Sequence, residues 1–377
     1  MKLHDLLYGK NVVILIDDLE RYEFFKKIIT SSSIKNITFL HAALYSYLYA
    51  KQDVSLNYEC DNILLKGEAS LEISPLSIDE VKLGKRICND LQADTKKALE
   101  TVFSNYDHLL VFKGFQFAFR HVEAFIEKDK SLFFEIGNFP NKFQWSKTGV
   151  NADSDHALRV SEVTEVIKEE DKEALKTLLF TYTPPHVAKK IRSKALEAIV
   201  NKFGHYVFKT IHPEPSILSS LKIAVSAFIA KRLIKKIARE SRPVITEKYC
   251  LFISQVEFDS QTVFQASEVN LSALKKAQKI ANERNIKLIV RLHPAEKNLR
   301  HLKDTIRYCQ LHDIEIHNAG SLLNIVNDSE FVMTINSTGG AHSILFNKEV
   351  VNFGRAFYSG WSPSDVVKYY RYVLEEA

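Results

Sequence analysis

Nowhere in the chain do about eighteen uncharged apolar residues run together, which excludes a membrane-spanning helix. The opening MKLHDLLYGKNVVILIDD has neither a long apolar segment nor a small-residue cleavage site. Its strand-like run from Asn11 to Ile16 breaks at once on Asp17 and Asp18, so a cytoplasmic protein is expected. Cysteine is sparse and scattered: Cys60, Cys88, Cys250 and Cys309 make no CxxC pair and no disulfide-like spacing, and are expected to be reduced thiols. An excess of one charge is lacking too. With 51 basic and 46 acidic residues the net charge is +5, too mild to argue for nucleic acid but compatible with an anionic substrate or lipid surface. There is no internal repeat and no low-complexity segment, and 46% hydrophobic with 26% charged residues leaves no room for a large disordered tail.

What is present is an alternation of short apolar strands with helical patterns over 377 residues, long enough for two domains. In the first half, Asn11 to Ile16, Asn36 to His41, His108 to Phe112 and Leu132 to Ile136 read as strands, with a helix over Phe115 to Lys128. The second half repeats the grammar with strands at Tyr249 to Val256, Lys287 to Leu292, Ile314 to His317, Phe331 to Ile335 and Glu349 to Phe353. The expectation is an α/β protein with two Rossmann-like domains facing a cleft: residues 1–165, a helical insert or connector over 166–245, and a second domain over 246–361. A C-terminal helix over 362–377, started by Ser362 and Pro363, is expected to pack back on the first domain. Within the connector, Leu221, Val225, Phe228, Ile229, Leu233 and Ile237 recur at helical spacing among Lys231, Arg232, Lys235, Lys236, Arg239 and Arg242. The pattern suits a solvated helix packed on the core, or a basic face for anionic lipid or a polyanionic glycan.

Four constellations could carry chemistry. In TINSTGGAHSILF an apolar strand ends in Asn336, Ser337 and Thr338, and a helix begins at Gly339 and Gly340. Backbone NH groups, hydroxyls and the positive helix end make an anion site suited to phosphate; glycines chosen for close packing under a capped helix are the plainer alternative. The continuation VVNFGRAFY, a strand ending at Gly354, supports a nucleotide cleft. LIVRLHPAE delivers Arg291, His293 and Glu296 at a strand's carboxyl end. Arg291 can pair with a phosphate or sugar carboxylate, and His293 can donate to a departing phosphate or shuttle a proton. His beside Pro is often only a turn, as IHPEP at His212 illustrates.

LFISQVEFDSQ runs from a strand into Gln255, Glu257, Asp259, Ser260 and Gln261. A carboxylate there suits a nucleophile or base at an anomeric carbon, although Asp followed by Ser is also an ordinary turn or helix cap. LFFEIGNFP and KTGVNADS place Glu135 and Gly137 at a strand end and Gly149, Val150 and Asn151 in the next loop. Glu135 could complete a two-carboxylate arrangement or sit in a salt bridge. Lys113, Gly114 and Gln116 form a further strand-to-helix turn, structural or acceptor-facing. No DxD-like pair stands at a strand end of the second half, and Asp17, Asp18, Asp153 and Asp155 have no clear partners, so no essential metal or other cofactor is expected.

Taken in order, Glu135-x-Gly137, Gly149-Val150-Asn151, Gln255-x-x-x-Asp259-Ser260, His293-Pro294, Asn336-Ser337-Thr338 and Asn352-x-Gly354 with Tyr358 resemble the bacterial capsule polysaccharide biosynthesis family, the β-Kdo glycosyltransferases. The resemblance runs from about Leu109 to Tyr358. It implies a GT-B fold, CMP-Kdo as donor, and retention through a covalent sugar–enzyme adduct. On that analogy Asp259 is the nucleophile and Glu135 the acid or base at the acceptor hydroxyl. Ser337, Thr338, Gly340 and His293 hold the CMP phosphate, Arg291 meets anionic charge on the donor, and Asn352, Gly354 and Tyr358 shape the nucleotide pocket. Gln255, Ser260, Glu296 and Asn336 belong to the same donor side, and Gly137, Asn151, Lys113 and Gly114 to the acceptor side. Large members of the family carry two transferase modules, whereas this chain has one set of motifs, which implies addition of one Kdo or one kind of linkage. The partners implied are a nucleotide-sugar donor, a glycan or glycolipid acceptor, and peripheral contact with an anionic membrane at its inner face or with a capsule assembly complex, with no nucleic acid. The competing readings are a GT-B transferase using CMP-sialic acid or a UDP-sugar, and a non-catalytic nucleotide- or glycan-binding subunit.

Overall fold

The computed structural model describes residues 2–56, 60–70, 76–87, 89–182, 190–241 and 245–376, with the backbone alone for 190–193; Cys88 and Arg242 lie outside the described residues. Two compact units emerge: Met1–Asp155 with Thr183–Glu214 and Leu374–Ala377, and His156–Tyr182 with Pro215–Val373.

In the first unit, strands β1 (Asn11–Ile16), β2 (Asn36–His41) and β3 (Cys60–Leu64) are followed by a short antiparallel ribbon of β4 (Gly67–Ala69) and β5 (Asn89–Leu91). Next come β6 (His108–Phe112), β7 (Ser131–Ile136) and β8 (Lys142–Ser146). β1 pairs in parallel with both β2 and β6, and β7 joins β6 in parallel before turning back antiparallel into β8. β1 reads NVVILI because both its faces are covered: Val12, Ile14 and Ile16 pack into one core, Val13 and Leu15 into the other.

The second unit holds β9 (Tyr249–Ile253), β10 (Lys287–Arg291), β11 (Glu315–Ile316), β12 (Phe331–Thr334) and β13 (Glu349–Asn352), all parallel, in the spatial order β11-β10-β9-β12-β13. Its core joins Phe252, Val290 and Met333 to Ala273, Leu274 and Ala277 of the helix Asn270–Glu283, and to Ala230 and Ile234 of the helix Ile217–Glu240. Each sheet therefore has a switch point, where the chain leaves in one direction and returns to the other side of its first strand: between β1 and β6, and between β9 and β12. Ligands of open α/β sheets bind at the carboxyl ends of the strands beside such points.

The expected domain limits differ from these units. The connector is divided: residues 183–214 go with the first unit, and 156–182 and 215–245 with the second. The expected C-terminal helix is short, Pro363–Lys368, continued by one π turn over Tyr369–Val373, and both belong to the second unit. They are held there by Arg371 on Asp171 at 2.7 Å and by Lys368 Nζ donating to the Val163 carbonyl at 2.8 Å. Only β14 (Glu375–Glu376) joins the first sheet, antiparallel to β8, where Glu375 accepts from the Leu3 amide and Glu376 pairs with Lys142. Cys60, Cys250 and Cys309 are free thiols.

Candidate functional site

At the switch point of the second unit, two amides clasp. Gln255, two residues past β9, donates through Nε2 to Asn336 Oδ1 at 2.9 Å and accepts the Asn336 backbone NH on Oε1 at 2.9 Å. Asn336 Nδ2 donates onward to the carbonyls of Gln261 and Arg355, both at 3.1 Å. Asn336 is thus a cross-brace with its bonding capacity spent inside the protein. It fixes the start of the helix Thr338–Leu345, whose cap is Ser337, accepting from the Gly339 amide at 3.2 Å. Tyr358 closes this turn by donating to the Ser337 carbonyl at 2.6 Å; burial keeps its phenol well above the usual range and therefore neutral. A Cβ at Gly340 would lie 2.2 Å from the Tyr358 hydroxyl, so glycine is needed there for close approach, and at Gly354 it would meet Ala266 at 2.9 Å. Asn352 accepts from the Tyr358 hydroxyl at 3.2 Å.

Beside this turn Asp259 caps the helix Ser260–Phe264, accepting from the Gln261 amide at 3.0 Å. Ser260 is 3% exposed, and its hydroxyl has no protein partner among the described residues. The His293 amide donates to Ser254 Oγ at 2.9 Å, while His293 Nδ1 accepts from the Ala295 amide at 3.1 Å, which places the ring proton on Nε2. Burial lowers the His293 pKa against the opposing pull of Glu296 and Asp259, leaving a neutral ring with a donor nitrogen. The carboxyl end of β13 also borders a hollow of about 480 Å³ lined by Phe264, Gln265, Ala266, Ser267 and Asn352 to Arg355.

Two expected donor residues are committed elsewhere. Arg291 donates to the carbonyls of His317, Ala319 and Gly320 at 3.3, 2.7 and 2.7 Å, and so ties down the loop after β11. Glu296 accepts from the backbone NH groups of Glu257, Lys297 and Asn298 at 2.9, 2.7 and 2.6 Å, acting as a loop brace. Neither offers a free charged group to a ligand. Residues that sequence reasoning did not place here are Asn270, which bonds both the amide and the carbonyl of Gln255 at 2.8 and 2.7 Å, and His301, whose Nε2 lies 3.0 Å from Glu257. Burial raises the Glu257 pKa, and His301 and Asn270 offset part of that rise.

At the switch point of the first unit the groups are charged. Lys113 and Gly114 follow β6 in left-handed conformations, φ 62° and 80°, and Gly114 could carry no Cβ because Phe133 would lie 2.7 Å away. The strained turn aims Lys113 Nζ at Glu135 Oε1, 2.7 Å away, while Asn151, itself at φ 55°, donates Nδ2 to Glu135 Oε2 at 2.8 Å. Glu135, Lys113 and Asn151 are thus brought together. Gly137 instead serves the β7–β8 turn: its NH donates to the Lys142 carbonyl at 2.7 Å, and a Cβ would lie 2.5 Å from that oxygen.

The first unit also joins groups far apart in sequence. His212 is laid over the end of β2 by its amide bond to the Ala42 carbonyl at 3.1 Å, and its Nδ1 lies 3.2 Å from Glu214. Asp79 accepts from the Phe117 amide at 2.8 Å, at the start of the helix after β6. Asp17, directly after β1, feels both. Burial first, then the neighbouring carboxylates of Asp79 and Asp18, push its pKa up to about 8 against His212 and Arg21. Burial pulls His212 down, but Glu214, Asp79 and Asp17 outweigh it and hold the imidazole at about 9. At neutral pH Asp17 is a neutral hydrogen-bond donor and His212 a cation. The one legible signal was an acid placed directly after a wholly apolar strand; nothing in the sequence links Asp17 to His212. Among the described residues, no group of three or more His, Cys, Asp and Glu side chains is arranged to hold a metal ion.

Two α/β units in one chain, each with a mainly parallel sheet and a switch point, define a GT-B-type architecture. The sequence profile of the capsule polysaccharide biosynthesis protein family matches residues 119–371, and the chain belongs to that family. No curated protein matches it significantly. Among solved structures, the β-Kdo 2,7-transferase of Thermosulfurimonas dismutans KpsC is 13% identical and aligns over 95% of this chain and 89% of its own, with a TM-score of 0.45. The KpsC β-Kdo 2,4-transferase from the same organism is 12% identical over 70% of this chain and 78% of its own, at a TM-score of 0.36. The UDP-GlcNAc 2-epimerase of Methanocaldococcus jannaschii is 11% identical over 97% and 95%, at 0.30.

Proposed function

We propose that this protein is a glycosyltransferase that moves Kdo from CMP-Kdo to a glycan or glycolipid acceptor in capsule or related surface polysaccharide synthesis, with retention at the anomeric carbon. The observation that carries the reading is the second unit's switch point, where a helix start after β12, a Ser260 hydroxyl with no partner among the described residues, and a neutral His293 that feels the Asp259 charge stand at the carboxyl ends of the strands. Such neutral, fixed donors suit a phosphate without requiring a metal.

In this reading Asp259 attacks the anomeric carbon, and the bond to phosphate breaks with its electron pair leaving on CMP. His293 Nε2–H, Ser260, Ser337 and Thr338 bond the departing phosphate, and the hollow beside Gly354 takes the nucleoside. The acceptor hydroxyl then displaces Asp259 as it loses its proton; the family resemblance gives the role of base to Glu135, which Lys113 and Asn151 hold in place within the first unit. Two inversions amount to retention. The neutral Asp17 and cationic His212 suit an acceptor sugar that itself bears a carboxylate.

The test is CMP release together with product mass, using CMP-Kdo and a Kdo-terminated glycolipid beside CMP-sialic acid and UDP-sugar controls. A mass gain that depends on CMP-Kdo and persists with chelator supports the reading. Turnover only with another donor keeps a transferase and removes Kdo, and loss of turnover with chelator removes the metal-free mechanism. CMP binding without turnover on any donor favours a non-catalytic nucleotide-binding subunit.

A further inference from the structure

The helix Ile217–Glu240 of the second unit is packed along one edge only. Ala230 and Ile234 are buried, Leu233 and Ile237 partly so, and Ser226 is fixed by bonds to the Lys297 carbonyl and the Leu299 amide at 2.8 and 3.1 Å. At 3.6 residues per turn the opposite face carries Leu218, Leu221, Val225, Phe228 and Ile229, then Arg232, Lys235, Lys236 and Arg239. The apolar members are all exposed, from 41% at Ile229 to 63% at Leu218. Glu240 is the one acid in the helix, where it lies 3.7 Å from Lys236, and no ion pair joins Lys231, Lys235 or Arg239 among the described residues. Arg232 lies over the Phe228 ring, 4.4 Å from its centre, at the junction of the apolar and basic halves.

We infer that this outer face docks on an anionic phospholipid surface, with the apolar half of the helix entering the acyl boundary and the basic half lying against the headgroups. Segregation of large apolar side chains from a run of cations on one exposed face is the arrangement that binds bilayers containing acidic lipid. Charge decides against a second copy of the chain as the occupant, because self-association through this face would bring the same cations together. The helix cannot span, since no helix among the described residues is long and apolar enough to cross a membrane. The inference does not depend on the transferase reading, because it concerns binding in the absence of donor.

Co-sedimentation of the full chain with vesicles of phosphatidylcholine alone, and of phosphatidylcholine mixed with phosphatidylglycerol, tests it. Partition should require phosphatidylglycerol and weaken at high salt. The pair Leu221→Ser with Phe228→Ser, and separately Lys235→Glu with Arg239→Glu, should each reduce partition roughly tenfold or more. All four side chains are exposed, so melting temperatures should stay unchanged and light scattering should report the same mass. Equal partition on neutral and acidic vesicles, or variants that partition like the parent chain, would overturn the inference. So would a concentration-dependent dimer that Phe228→Ser abolishes.

Discussion

The two switch points occupy equivalent places in similar sheets and differ in kind. Between β9 and β12 the charged side chains Arg291 and Glu296 are tied into loops and Glu257 lies against His301, while an amide pair, a helix start, serines and an uncharged imidazole stand with Asp259 at the strand ends. Between β1 and β6 the crevice is built from ionisable groups held close together, Lys113 with Glu135 and Asp17 near Asp79 and His212. Neutral fixed dipoles can hold a phosphate at any pH near neutrality, whereas coupled acids and cations respond to protons. The contrast suits the proposed division, with donor binding in the second unit and acceptor recognition in the first.

The most severe way to break this division is at Asp259. Asp259→Asn keeps an N-cap and should leave melting unchanged and CMP binding intact while transfer falls about a thousandfold or more. Normal turnover would remove the covalent mechanism. Next is Gln255→Ala, which strands the buried Asn336 amide and should cost about 2–4 kcal/mol in chemical denaturation. A smaller loss there would show that the clasp is not what fixes the second crevice.

Gly340→Ala drives a methyl into the Tyr358 ring and should cost about 1–3 kcal/mol, with weakened CMP binding measured by calorimetry. The smallest effect belongs to Asp17. Its pKa, about 8 when folded, stands above the ordinary 3.8, so the folded state binds the extra proton. Its contribution is complete below about pH 4 and is lost as the pH climbs through 8, and His212, raised to about 9, loses its contribution over the range above 6.5. Asp17→Asn should flatten the fall in stability between pH 4 and 8 and leave the variant about 1–2 kcal/mol more stable than the parent near pH 8. A parallel pair of stability curves would place Asp17 in ordinary solvent.

Much of the fold was legible because parallel strands covered on both faces write themselves as unbroken apolar runs. Asn11–Ile16, Asn36–His41 and His108–Phe112 stand where the sequence pattern puts them. β8, KFQWS, gave no such signal, since its pairing with β7 is antiparallel and it buries Gln144 and Ser146. β14 consists of two glutamates held by Leu3, Trp145 and Lys142, all far away in sequence. The same limit applies to the sites. Strand-end motifs announce Asp259, Ser337 and Glu135 locally. They say nothing of Asn270 bracing Gln255, of Arg291 turning to the carbonyls of His317 to Gly320, or of His212 reaching the end of β2. Those depend on segments that meet only once the chain is folded.

The division between the crevices is tested most directly by titrating CMP into the parent chain, Ser260→Ala and Asp17→Asn by calorimetry at pH 7. Ser260 Oγ has no protein partner among the described residues, so its removal changes what a ligand meets and little else. The account predicts that Ser260→Ala weakens CMP by about tenfold, the worth of one hydrogen bond to a charged group, and that Asp17→Asn leaves it unchanged. Unaltered affinity in Ser260→Ala with a clear loss in Asp17→Asn would put the nucleotide in the first unit and contradict the account.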